Sequence, residues 1–211
     1  MLKDIHTHRL TTHPENQLLS CAWKDAASKV IQQAVYLSVG IHPWYITEED
    51  YPLQQAWINQ MLLDSRVRAL GEGGLDKLCE TPMQLQEKAF CWLIERSEEY
   101  HLPLVIHCVK CISELIRLKK KYDPQSPWII HGFRGKAQQA QEYIRHGFYL
   151  SYGERYAPDA LRNTAIDRLF LETDESSVDI HQLYLRAAAC KEISLKTLED
   201  SVFENINHVF Y

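Results

Sequence analysis

Six side chains able to bind a metal ion each follow or end a short apolar run of the sequence. Imidazoles and carboxylates at the ends of successive strands meet at one rim when the strands form a parallel barrel. Four imidazoles with two carboxylates suit a pair of divalent cations, with one carboxylate bridging them. The pattern therefore predicts a binuclear metal-dependent hydrolase whose ligands are His6, His8, Glu72, His107, His131 and Asp174.

His6 and His8 form an H-x-H pair directly after the first apolar run. Residues two apart on a strand point to the same side, so both imidazoles are expected to face the mouth of the barrel. With ten histidines in 211 residues, about 0.5 H-x-H pairs are expected by chance from composition alone. The alternative for this pair is therefore an incidental surface arrangement.

Glu72 follows another apolar run and is flanked by glycines that allow close backbone approach. Its alternative is a solvent-exposed loop carboxylate. His107 and His131 each close a run, and either alone is more often a solvent-facing histidine. Glu172 and Asp174 share a face if their strand continues, which would place two acids at the mouth, where a bound cation would relieve their repulsion.

Short apolar runs alternate with amphipathic segments along the whole chain, which favours a parallel sheet covered by helices. Eight candidate strands predict a TIM-type α/β barrel in one domain, residues 1–211, with an open α/β sheet as the fallback. Only residues 9–16 separate the first two strands, so one outer helix is expected to be missing and the barrel to be irregular. The predicted strands are Leu2–Ile5, Gln17–Trp23, Ala34–Ile41, Val67–Gly71, Leu104–Ile106, Trp128–Ile130, Phe148–Ser151 and Leu169–Leu171.

Composition indicates a globular protein of the cytoplasm. The apolar fraction of 45% supplies a core, no stretch is long enough for a membrane span, and no apolar leader follows Met1. The six cysteines lack the spacing of a disulfide scaffold. The net charge of -5 argues against a protein that coats nucleic acid, although Lys and Arg outnumber Asp and Glu between residues 101 and 168. No obligate protein partner is evident.

Six motifs, in order, resemble the TatD family of metal-dependent deoxyribonucleases across nearly the whole chain. They are Asp4-Ile5-His6-Thr7-His8, Gly40-Ile41-His42-Pro43, Gly71-Glu72-Gly73-Gly74-Leu75-Asp76, Val105-Ile106-His107, His131-Gly132-Phe133-Arg134-Gly135 and Leu171-Glu172-Thr173-Asp174. The resemblance implies a TIM-barrel enzyme that cleaves DNA with two divalent ions, Mg, Mn or Zn, bridged by Glu72. Departures from the family pattern at Cys108, Lys110, residues 132–135 and Glu175-Ser176, and the short chain, concern the substrate more than the chemistry.

In the expected reaction a metal-activated water attacks a phosphodiester. Glu72 bridges the ions, and Asp174, or Glu172 as second candidate, orients or deprotonates the water. Trp44 and Phe133 are candidates for stacking on a base, each with packing as its alternative. The candidate substrate contacts are Lys110, Arg134, Tyr152, Arg155 and His42.

Two other functions fit parts of the sequence. The same centre would serve a hydrolase of a lactone, amide or amine, although Glu72 stands where a carboxylated lysine would suit that branch. Cys108 and Cys111 form a C-x-x-C between a strand and a helix, as in a thiol redox protein. That hypothesis leaves the six metal ligands unexplained.

Overall fold

A computed structural model describes residues 2–211 and arranges them around an eight-stranded parallel sheet. The strands lie side by side in chain order, and each pairs in parallel with the next. All eight strands predicted from the apolar runs are present, as a TIM-type barrel requires. Their bounds are β1 Asp4–Thr7, β2 Gln17–Ala22, β3 Tyr36–Gly40, β4 Val67–Asp76, β5 Leu104–Val109, β6 Trp128–Ile130, β7 Phe148–Tyr152 and β8 Leu169–Leu171.

Helices follow the strands and cover the sheet. Between β1 and β2 the chain forms only a 3₁₀ turn, Pro14–Asn16, so the outer helix predicted to be missing is indeed replaced by a turn. No helix within residues 2–211 combines the length and the apolar character that crossing a membrane requires. The helices are α1 Lys29–Gln33, α2 Tyr51–Met61, α3 Met83–Tyr100, α4 Ile112–Tyr122, α5 Ala137–Arg145, α6 Pro158–Asn163, α7 Ile180–Lys191 and α8 Leu195–Phe210.

The barrel is nearly closed, and its seam lies between β1 and β8. A single bridge joins Thr7 to Asp174. The Asp174 amide donates to the His6 carbonyl at 2.9 Å, and the Asp174 carbonyl accepts from the His8 amide at 3.2 Å. Deeper in the seam, the carboxylate of Asp4 accepts from the Thr173 amide at 3.0 Å and from its hydroxyl at 2.6 Å. Closure of the barrel therefore fixes Asp174 beside the two N-terminal histidines.

The fourth and fifth strands extend beyond the apolar runs that predicted them. β4 continues through its glycines to Asp76, and β5 continues to Val109, with Gly74 opposite His107 in the pairing. Glycine weakens strand propensity, so the sequence pattern ends the strand too early at Gly71. The sequence pattern predicts Glu72 and His107 at the points where their strands meet the following loops. In the structure both residues lie within the strands instead.

Replacing Gly74 by alanine is expected to destabilise the barrel strongly. The φ angle of Gly74 is 150°, and an added Cβ would lie 2.0 Å from the His107 carbonyl oxygen. Backbone strain and the clash together should lower the free energy of unfolding by about 3 kcal/mol or more. Urea unfolding measures the change.

The matched control for this variant is Gly147→Ala. Gly147 also has a positive φ, 74°, but its added Cβ would meet only the Lys119 side chain at 3.6 Å. Conformational strain alone should lower stability there by about 1–2 kcal/mol. Equal losses in the two variants would show that the approach of β5 to Gly74 is not what makes this glycine necessary.

Candidate metal centre

One group of ligand atoms surrounds Oε2 of Glu72. The Nε2 atoms of His6 and His8 lie 3.4 and 3.5 Å from this oxygen. Oδ1 of Asp174 lies 3.8 Å from His6 Nε2 and 3.6 Å from His8 Nε2. As expected from the H-x-H spacing, both imidazoles face the same point. The seam of the barrel supplies the Asp174 carboxylate.

A second group surrounds the other oxygen of the same carboxylate. Oε1 of Glu72 lies 2.8 Å from His107 Nδ1 and 2.8 Å from His131 Nε2. His42 Nε2 approaches it at 3.0 Å. The structure thus brings together all six side chains predicted as ligands, and the two oxygens of Glu72 face different sets. That is the arrangement a bridging carboxylate requires.

His42 holds the central carboxylate in place. Its Nδ1 accepts the Trp44 backbone amide at 3.1 Å, so the neutral ring carries its proton on Nε2 and donates it to Glu72. Burial lowers the pKa of His42, although Glu72 opposes that shift, which keeps this neutral form. Both ring nitrogens are engaged within the protein, so His42 positions Glu72. Because His42 also lines the cavity over the centre, its contact with substrate stays a prediction.

Two further carboxylates stand behind the second group of ligands. Asp76 Oδ2 lies 3.1 Å from His107 Nε2, and Glu172 Oε1 lies 3.3 Å from His131 Nδ1. A carboxylate in this position fixes the tautomer and orientation of a ligating histidine and increases its basicity. Asp76 lies in the Gly71–Asp76 motif, but the motif alone predicted no role for it. Its distance of four residues from Glu72 along one strand, an even spacing, was the available signal.

Glu172 does not reach the mouth of the barrel, which corrects its prediction as a second candidate for handling water. Its side chain is fully buried, and Oε1 accepts from the Gly132 amide at 2.7 Å. β8 ends at Leu171, so the strand does not carry Glu172 and Asp174 to the mouth together. Glu172 supports His131 instead.

The residues of the first group fit a divalent cation. His6 is fully buried, and neither of its ring nitrogens has a hydrogen-bond partner among residues 2–211. Such a side chain is strongly destabilising unless it binds something. Ligand atoms placed tetrahedrally about 2.1 Å from an ion lie about 3.4 Å apart. The separations of 3.4 to 3.8 Å among these atoms match that spacing.

Shifted pKa values show that the buried carboxylates and imidazoles of the centre stabilise each other's charged forms. Burial opposes the ionisation of Glu72, but His131 and the hydrogen bonds of the surrounding imidazoles hold the pKa of Glu72 well below its usual range. Burial likewise opposes protonation of His131, yet Glu72 and Glu172 raise its pKa well above the ordinary value. The pKa of Glu172 is lowered because His131 outweighs the effect of burial. Ionised carboxylates therefore require positive charge here, from protons or from cations.

A cavity of about 850 Å³ opens over the centre. Lys110 and Arg134 line it, as expected of candidate substrate contacts, and Arg134 lies 3.9 Å from Oδ2 of Asp174. Tyr152 does not line it: the ring is fully buried and its hydroxyl bonds to Thr164 at 2.6 Å. Arg155 is exposed but outside the lining. The predicted contact at Tyr152 is therefore corrected, whereas the contact predicted at Arg155 stays a prediction.

Phe133 belongs mainly to the core. Only 6% of it is exposed, and its ring packs edge-on against Tyr143 and Tyr152. Phe133 therefore packs in the core rather than offering its ring to a base. Trp44 is 55% exposed and lines the cavity.

The two cysteines of the C-x-x-C motif do not have the environment of a redox pair. Burial raises the pKa of Cys108, against the opposing hydrogen bond with the Tyr143 hydroxyl at 3.0 Å. Burial raises the pKa of Cys111 to about 11. Because the thiolate is the reactive form, these environments argue against the thiol redox hypothesis.

Replacing Asp76 by asparagine is expected to weaken cation binding by about 10–100-fold, because His107 loses its charged partner. Isothermal titration of the metal-free protein with Zn or Mn measures the affinity. Asp25→Asn is a matched control, since Asp25 lines the same cavity but bonds to the Ala22 amide. An Asp76 variant with the affinity of the control would contradict the supporting role of this carboxylate.

Comparison with known proteins shows which protein family this chain matches. The family model described as TatD related DNase matches residues 9–210, and His6 and His8 lie just before that range. The uncharacterized metal-dependent hydrolase YabD of Bacillus subtilis is 30% identical over 152 residues, which are 66% of this chain and 58% of YabD. The human 3'-5' RNA nuclease TATDN2 is 29% identical over 173 residues, 74% of this chain and 22% of that protein.

The deoxyribonuclease Tat-D of Schizosaccharomyces pombe is 26% identical over 155 residues, 65% of this chain and 50% of that protein. The matched stretch thus spans less than two thirds of the length of each of these relatives. Among solved structures, the TatD homolog YJJV of Escherichia coli superposes with a TM-score of 0.84 at 17% identity, covering 100% of this chain and 97% of that one. This likeness shows the fold.

Proposed function

Because the chain belongs to the TatD family of metal-dependent hydrolases, we propose that it is a nuclease that cleaves phosphodiester bonds of DNA with two divalent cations. The observation that carries the proposal is the position of Glu72. Its two oxygens face two separate ligand groups at the base of an open cavity. The names of two relatives, a deoxyribonuclease and an RNA nuclease, support a nucleic-acid substrate.

The side chains divide the work of hydrolysis between them. Bound in the two groups, divalent cations would supply Lewis-acid activation of water and neutralise charge on the phosphate. Asp174 turns Oδ1 toward His6 and His8, which leaves Oδ2 on the side of Arg134 to accept a proton from the attacking water. Glu72 fixes the two groups relative to each other.

The charges at the mouth suit an anionic substrate. Lys110 is exposed on the cavity wall and has no ion pair among residues 2–211. Among residues 2–211, the one ion-pair contact of Arg134 is with Asp174, at 3.9 Å. These cations lie on the side of the mouth formed by the ends of β5 and β6, where they would bind non-bridging phosphate oxygens. The chain as a whole, with a net charge of -5, adds no general attraction for DNA.

The test is hydrolysis of 3′-labelled single-stranded and duplex DNA, with single-stranded RNA in parallel. Metal-stripped protein is assayed alone and after addition of Mg, Mn or Zn, with a Glu72→Ala/Asp174→Ala double variant as control. We expect cleavage of DNA only after metal is added and none by the double variant. The product ladder gives the direction of attack.

The other outcomes are equally informative. Cleavage of RNA alone would replace DNA as the substrate. Binding of two cations without cleavage of either nucleic acid would overturn the nuclease proposal while leaving the metal centre in place. A lactone, amide or amine would then become the substrate to screen.

A further inference from the structure

Trp44 is anchored by its indole nitrogen and remains largely exposed. The indole Nε1 donates a hydrogen bond of 2.7 Å to Asp76 Oδ2, yet 55% of the residue is exposed. Its ring centroid lies 5.7 Å from that of His107 and 5.2 Å from that of His42. A rigid aromatic surface therefore stands directly beside the metal ligands. More than half of Trp44 is left uncovered by the described residues.

The residues next to Trp44 extend this surface. Tyr45 is 45% exposed, and the Lys24 ammonium lies 3.5 Å from the centroid of its ring. A second cavity, of about 660 Å³, shares Ala22, Lys24, Trp44 and Tyr45 with the cavity over the metal centre. A group bound at the centre can thus continue across the aromatic rings without leaving the protein surface.

We propose that Trp44, with Tyr45 and Lys24, forms a stacking subsite for the nucleobase next to the scissile phosphodiester. The inference rests on the proposed nuclease function and deepens it by defining the substrate near the cleaved bond as unpaired. Every nucleobase has a π-face that stacks on an aromatic side chain, so such a subsite is tolerant of sequence. A base inside a duplex is already stacked and paired, so it must first be freed.

Charge limits what the subsite accepts. Lys24 lies at the junction of the two cavities, where a phosphate flanking the stacked base would find a cation. The second cavity also carries Glu48 and Glu80, and Glu48 already pairs with Lys88 at 3.4 Å. Carboxylates repel a continuing phosphate backbone. The subsite therefore suits one base and its nearest phosphate rather than a long strand.

A cycle that combines a protein change with a substrate change tests the subsite. The probes are single-stranded DNA pentamers in which each nucleotide in turn is replaced by an abasic tetrahydrofuran residue. Wild-type protein and Trp44→Ala are compared by metal-dependent hydrolysis, and by fluorescence anisotropy binding to the metal-free protein. Because each protein is compared with itself on two substrates, a general loss of activity in the variant cancels.

We expect the abasic residue at one position to weaken binding and kcat/KM of the wild-type protein about 10-fold. The same replacement should change the values of Trp44→Ala less than about twofold, and Trp44→Phe should lie between them. Tyr100→Ala, which removes a partly exposed aromatic at the end of α3, should behave as the wild-type protein. An abasic penalty that is absent from the wild-type protein, or unchanged in Trp44→Ala, would overturn the subsite.

The two readouts separate this inference from the proposed function. Binding that shows the coupling between base and Trp44, without hydrolysis, would retain the subsite and reject the nuclease activity. Hydrolysis without coupling between the base and Trp44 would retain the nuclease activity and reject the subsite. Neither binding nor hydrolysis of any pentamer would reject both.

Discussion

Replacing Glu72 by glutamine is expected to abolish activity and to reduce the number of bound cations. Glutamine keeps the shape but removes the charge that both ligand groups share, and its amide nitrogen turns a donor toward one of them. Loss of a residue that merely supports a metal ligand lowers affinity or activity about 10–100-fold. Glu72 faces both groups directly, so the loss should exceed about 100-fold. Metal analysis of the purified variant and its hydrolysis rate measure the effect.

The control for this variant is Glu204→Gln, an exposed position on α8. It should retain the metal content and activity of the wild-type protein. Circular dichroism and thermal unfolding show whether Glu72→Gln remains folded. A folded Glu72→Gln protein with full metal content would contradict the bridging role of this carboxylate.

Replacing His6 by leucine is expected to stabilise the metal-free protein and to remove most of the stabilisation that added metal provides. His6 is fully buried, and both ring nitrogens lack hydrogen-bond partners within residues 2–211. A buried polar group without a partner destabilises by about 1–3 kcal/mol. Leucine removes that group, so the metal-free variant should melt about 2–12 °C above the metal-free wild-type protein.

The stabilisation by added metal should be much larger in the wild-type protein. A ligand at a hundredfold excess over its Kd stabilises the folded state by about 2.7 kcal/mol, equivalent to about 5–11 °C for a chain of this size. The wild-type protein should gain this increment when Zn or Mn is added, and His6→Leu should lose most of it.

Thermal unfolding with chelator and with added metal measures both differences. His208→Leu, at an exposed position of α8, is the matched control and should keep the increment of the wild-type protein. A His6→Leu protein that is less stable without metal would show that the imidazole contributes to packing rather than to cation binding.

The sequence by itself determined the eight strands and indicated the six side chains that the structure brings together. Apolar runs bounded by polar residues indicate buried strands, and all eight formed where the runs lie. The absence of a helix between β1 and β2 could be predicted because the eight intervening residues include a proline and leave little room for a helix. The H-x-H pair was readable because the side-chain period of a strand is two.

Tertiary structure decided what each polar residue does within the site. Glu172 and Asp174 are two positions apart, yet the chain leaves β8 at Leu171 and turns, so one lies buried behind His131 and the other joins His6 and His8. His42 and Asp76 take positioning roles through hydrogen bonds to residues 30 and 31 positions away in the chain. No local pattern encodes such contacts.

The same limit explains the incorrect substrate contact at Tyr152. Tyr152 ends β7, much as Lys110 and Arg134 follow the ends of β5 and β6, so the sequence presents all three alike. Only packing distinguishes them: the Tyr152 ring is enclosed and bonded to Thr164, whereas Lys110 and Arg134 remain on the cavity wall. Spacing along the chain fixes which side chains can reach the mouth of a barrel. Which of these side chains stay exposed at the mouth is decided by packing when the barrel closes. That packing involves residues distant in sequence, so no local pattern predicts it.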